Sequence, residues 1–160
     1  MNSGPRRGVT RGYVGALILA TVIAATALVV AGWGLMALLS GRDPVSTESV
    51  PRWVGPALVV VALAILAISL WVQALALLRG LRSPAWGRIF VAAMSAYLLW
   101  CALGVLAGMS IDETWVSPFA ALLPAIWALS AIAFWALLAR RVYTDRPPPR
   151  WPWERAEDTE

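Results

Sequence analysis

WVGPALVVVALAILAISLWVQALALL, residues 53–78, runs for 26 residues without a charge. At about 1.5 Å per helical residue it measures roughly 39 Å, more than the roughly 30 Å hydrocarbon core of a bilayer. A charge at its centre would cost about 2.5–3.5 kcal/mol on insertion, and its centre has none. Its polar side chains, Ser69 and Gln73, are mild and four apart. The natural solvent of such a segment is lipid.

The same pattern recurs on either side. Arg11 and Arg42 enclose 30 uncharged residues, Arg88 and Asp112 enclose 23, and Glu113 and Arg140 enclose 26. Four spans are expected, at about 13–39, 53–78, 86–109 and 118–140. The expected fold is therefore all-α: an integral membrane protein built as an antiparallel four-transmembrane-helix bundle over 13–143. Residues 1–12 precede it, and a Pro/Trp/Arg-rich tail, 144–160, follows it. Composition agrees. The chain of 160 residues is 60% hydrophobic and 14% charged, against about half and a quarter for soluble domains. The first run is too long for a cleaved signal core of about 7–15 apolar residues, so it is expected to stay as the first helix.

Helix ends are legible. Pro51 and Pro56 should open the second span. Ser83-Pro84 and Ser117-Pro118 each read as an N-cap with proline at the first helical position. Gly41 and Gly80 fit as stops. The third and fourth spans are joined by a turn around Ile111-Asp112-Glu113-Thr114, and Pro124 should kink the fourth.

Orientation is expected from arginine. All 13 basic residues are arginine, a bias that suggests a GC-rich bacterial genome. Eleven lie before the first span, between the second and third, or after the fourth; only Arg42 and Arg52 lie in the other loops. Positive residues stay inside, so both termini are expected on the cytoplasmic side of a plasma membrane. Trp33, Trp53 and Trp115 fall at expected outer ends, and Trp86 at an inner one, where indoles favour the interface. Trp100 and Trp127 fall near span centres and are expected to pack between helices or against lipid.

In lipid, helices associate by close approach of small residues. Ala20, Ala24, Ala27, Ala31 and Gly34 are spaced 4-3-4-3 and read as one seam of the bundle. Gly104-x-x-x-Gly108 reads as a second. Both are expected to serve packing within the chain, with a homo-oligomer or membrane-protein partner face as the alternative. Ser69, Gln73, Tyr97 and Ser130 are expected to form a small polar cluster, either as interhelical hydrogen bonds or as a vestibule.

Chemistry is sparse. The chain has no histidine and one cysteine, Cys101. No catalytic residue, metal site or cofactor is expected. Asp112-Glu113 reads as a solvated turn, since adjacent carboxylates do not share a helix face. A pI near 10.2 does not imply nucleic acid, because the arginines form no continuous basic face. The tail answers to the membrane: prolines 147–149 form an extended rod, Arg146 and Arg150 meet anionic headgroups, and Trp151 and Trp153 lie at the interface. A docking peptide is its alternative reading. Together these features point to a non-catalytic accessory or scaffolding subunit acting through helix faces and the tail. A small oligomeric transport unit ranks second, and a lipid-acting enzyme last.

Overall fold

The computed structural model describes residues 11–79 and 84–143. It is all-helical, with four long helices packed as a bundle: α1 (Arg11–Ser40), α2 (Val54–Leu78), α3 (Trp86–Leu106) and α5 (Pro118–Tyr143). A single-turn helix, α4 (Ile111–Thr114), stands between α3 and α5. All four long helices are long and apolar enough to cross a membrane. The N-terminal arginines Arg6 and Arg7, the expected Gly80 stop, the Leu81-Arg82 turn, the Ser83 cap and the whole tail with Arg146, Arg150, Trp151 and Trp153 lie outside the described residues.

α3 and α5 share the most extensive contact. α1 packs on α5, α2 on α3, and α1 on α2, which closes a ring. α2 and α5 also touch across one diagonal. Across the other, α1 and α3 meet through side chains, Trp33 against Trp100 with ring centroids 5.1 Å apart. The interior is filled by large side chains, among them Leu66, Leu70, Trp100, Leu123, Trp127, Phe134 and Leu138. With the hydrophobic effect largely cancelled between helix and lipid, this interdigitation supplies the cohesion.

The helix ends follow local chemistry, with one change. Gly41 adopts φ 65° and its N–H bonds the Ala37 carbonyl at 2.9 Å, a left-handed stop to α1. Pro118 opens α5, and the Ser117 carbonyl takes its first bond, from Ala121 N–H at 3.1 Å. α3 departs from expectation. It starts at Trp86 with Ala85 as the N-cap and no side-chain cap bond. Pro84 therefore precedes the helix rather than standing at its first position.

The alanine seam is a correction. Ala20, Ala24, Ala27, Ala31 and Gly34 are all exposed. α1 buries Val14, Thr21, Ala25 and Val29 instead, a stripe one residue out of phase and so rotated by about 100°. A hydrogen bond to α5 sets that rotation. The Trp33 indole N–H donates to the Phe119 carbonyl of α5 at 3.1 Å. Gly32 lies so close to α5 that a Cβ there would stand 2.5 Å from Leu122 Cδ2. A desolvated indole N–H needs an acceptor, and finding it on α5 turns the small residues away from the bundle.

The Gly104-x-x-x-Gly108 seam is a second correction, because the two glycines do different work. Gly104 is buried and packs against Thr114. Gly108 adopts φ 86° and ends α3. Met109 N–H bonds the Gly104 carbonyl at 2.9 Å and Gly108 N–H bonds the Val105 carbonyl at 3.0 Å. This is the paired-bond termination that favours glycine in the left-handed position.

Candidate functional site

The helical segment Ile111–Thr114, read from sequence as a plain turn, folds back against α3. Three side chains of α3 receive it. The Trp100 indole N–H donates to the Glu113 carbonyl at 3.1 Å. The Cys101 thiol donates to the Thr114 carbonyl at 3.4 Å, and the Tyr97 hydroxyl to the Trp115 carbonyl at 2.8 Å. Residues 97, 100 and 101 share one helix face, and they satisfy three consecutive carbonyls that a one-turn helix cannot satisfy itself. Trp100 is thus not a central packing residue alone; it tethers the end of the bundle. We call this the capped end.

The opposite strap is polar as well. Ser110 is the N-cap of α4, its hydroxyl accepting from Glu113 N–H at 3.3 Å. The Glu113 carboxylate accepts from Ser46 N–H at 2.6 Å and from the Thr47 hydroxyl at 2.7 Å. It thereby ties the α1–α2 loop to α4. Partial burial pushes the Glu113 pKa up, but these hydrogen bonds to the charged form outweigh it, and the carboxyl sits below its ordinary value. Asp112 is exposed, as a solvated turn residue should be, whereas Glu113 is a structural clamp. The Ser110-x-x-Glu113 spacing is a capping-box signature and was legible in the sequence.

A cleft of about 530 Å³ opens at this end. Its walls come from the start of the α1–α2 loop (Arg42, Asp43), from α4 (Asp112, Glu113) and from the start of α5 (Ser117, Phe119). A smaller groove of about 100 Å³ lies at the other end, between Arg11 and Val14 of α1 and Trp71, Leu75 and Leu78 of α2.

The expected polar cluster is not assembled. The Tyr97 hydroxyl is engaged at the capped end. Ser69 is half-buried and donates to its own helix, at the Leu66 carbonyl, 2.7 Å. Thr21, Thr26 and Ser95 bond back in the same way. A hydroxyl in a helix always has a carbonyl within reach, so it need not seek a neighbour. Gln73 and Ser130 are buried, at 6% and 5% exposure. Gln73 Nε2 and Trp127 Nε1 are buried without a hydrogen-bond partner. An unmet donor costs about 1–3 kcal/mol. Gln73→Leu is therefore expected to raise stability by a similar amount, about 1–3 kcal/mol, measured by reversible unfolding in mixed micelles; a loss of stability would show that the amide has a partner.

The tryptophans divide by depth. Trp53, Trp86 and Trp115 are exposed at helix ends, where an interfacial belt places them. Trp33 turns inward with Trp100 and Phe119, the latter ring 6.2 Å from it and nearly perpendicular at 89°.

A family model matches residues 9–160, which includes every helix described above. The chain belongs to DUF6121, a family of unknown function. No curated protein and no solved structure matches it. In this DUF6121 chain the capped end closes one end of the bundle of four apolar helices.

Proposed function

We propose that this multi-pass membrane protein is a non-catalytic accessory subunit that recognises other transmembrane helices through the outward face of α1. One observation carries the reading. Ala20, Ala24, Ala27, Ala31 and Gly34 form a continuous strip of small residues on the exposed side. Larger exposed side chains border it, Leu28 and Leu35 on one side, Leu19, Ile23 and Val30 on the other. The strip is therefore a shallow groove in which a second helix backbone can approach closely. Against lipid tails alone such a groove gains little, since mobile chains fill it poorly.

The arginine distribution supports a plasma-membrane setting with both termini cytoplasmic. The basic end, with Arg79, Arg88, Arg140 and Arg141, would then face anionic headgroups. The test is site-specific photo-crosslinking in native membranes. A crosslinker at Ala24 or Ala31 is expected to give protein adducts, and one at Ile68, an exposed position of α2, lipid adducts only. Ala27→Ile should abolish the protein adducts while the chain still inserts. Lipid adducts alone at Ala24 and Ala31 would overturn the reading.

A further inference from the structure

The charges that line the cleft at the capped end are unpaired. Arg42, Asp43 and Asp112 all line it, and among the described residues none of their side chains forms an ion pair or hydrogen bond. Glu113 lines it too, but its carboxylate is occupied by Ser46 and Thr47. A guanidinium and two carboxylates thus share one concavity without neutralising each other.

The floor adds donors. Ser117 is 3% exposed and lines the cleft, yet its hydroxyl makes no hydrogen bond in the structure. The hydroxyl oxygen itself is not sealed off, so it opens onto the cleft. Beside it stands the N-terminus of α5, a helix of 26 residues. Pro118 has no N–H, and the first intrahelical bond is made by Ala121. The N–H groups of Phe119 and Ala120 therefore have no acceptor within the helix, at the positive end of its dipole. A helix end, a hydroxyl open to the cleft and an unpaired arginine together make an oxyanion seat.

We propose that this cleft binds a small zwitterion that joins an oxyanion to a primary ammonium, and that the ligand is the phosphoethanolamine headgroup of an aminophospholipid. Arg42, the Ser117 hydroxyl and the first N–H groups of α5 hold the phosphate. Asp43 and Asp112 hold the ammonium. A plain anion would be opposed by the two carboxylates, and a plain cation by Arg42 and the helix end. Ile111, Trp115 and Val116, exposed on residues flanking the cleft, supply the apolar contact that a lipid, rather than a dissolved solute, would use. The volume of about 530 Å³ suits a headgroup-sized ligand.

The experiment uses the full chain in nanodiscs. In phosphatidylcholine discs, free phosphoethanolamine, inorganic phosphate and ethanolamine are titrated separately. In a second arm, phosphatidylethanolamine is mixed into the discs and retained lipid is read by native mass spectrometry. Retention of phosphatidylethanolamine over phosphatidylcholine, lowered about tenfold by Arg42→Gln and by Ser117→Ala, is the expected result. Both variants should keep the parent melting temperature, which separates lost binding from lost folding. Binding of free phosphoethanolamine without lipid preference would move the source from lipid to solute and overturn the lipid assignment. Equal binding of inorganic phosphate would overturn the zwitterion, and no binding in either arm would reduce the cleft to a solvated surface.

Discussion

Trp100→Ala is expected to cost about 3 kcal/mol, the low end of the range for aromatic-to-alanine changes in a core. The low end applies because the lost side chain would be no better solvated by lipid tails than by the bundle, so the transfer part of the usual penalty shrinks. What remains is packing and one hydrogen bond. Trp100 is 1% exposed. Its ring meets Trp33 edge-on at 69° and approaches Gly55 of α2 closely enough that a Cβ there would lie 3.8 Å from its Cη2. It therefore touches α1, α2 and, through Glu113, α4. Deleting it opens a cavity where α1 meets α3. Trp100→Phe separates the two contributions: it keeps most of the packing and leaves the Glu113 carbonyl unmet, at about 1 kcal/mol. Unfolding in mixed micelles measures both. An alanine variant as stable as the parent would mean that the cap is held from the Glu113 carboxylate side alone.

The capped end also shows where sequence reading of such a chain stops. The four helices were readable because lipid forbids charge over about 20 residues, and the gaps between charges are long. Gly41 and Ser117-Pro118 were readable because helix ends have strict backbone needs. The rotation of α1 was not. In a soluble helix the polar face marks the outside, but both faces of α1 are apolar, and the alanine strip reads equally well as inner or outer. What fixes it is the indole of Trp33 reaching one carbonyl on α5, a contact 86 residues away in sequence. The polar cluster failed for a related reason. Ser69 satisfies itself on its own helix and Tyr97 finds a carbonyl at the cap, so polarity in the sequence did not translate into proximity. Gly104 and Gly108 share one motif and have two jobs, and only their backbone angles and surroundings distinguish them.

Those two glycines differ in what a substitution should do. At Gly108 the obstacle is backbone: an alanine must adopt φ 86°, at a cost of about 1–2 kcal/mol. At Gly104 it is space. A Cβ there would lie 2.6 Å from Thr114 Cγ2 and 3.2 Å from Met109 Sδ. Met109 can give way, but Thr114 cannot. It is fully buried, β-branched and stiff at χ1, and its hydroxyl is bound to the Ser110 carbonyl at 3.0 Å. Compare Gly32, where the nearest atom is the free end of Leu122 and a rotamer change absorbs the intrusion. Gly104→Val therefore has to push α4 off α3, breaking the bonds from Tyr97, Trp100 and Cys101 together. Overpacking in a tight core costs about 1–3 kcal/mol, occasionally more, and the shared ladder places this change at about 3 kcal/mol or above. Gly32→Ala should cost less than about 1 kcal/mol. Hydrogen exchange at residues 110–117 gives the sharper readout, since displacement of α4 exposes those amides while the long helices stay protected. Equal exchange in Gly104→Val and parent would show that Thr114 yields, and the cap would then be a loose lid resting on the bundle.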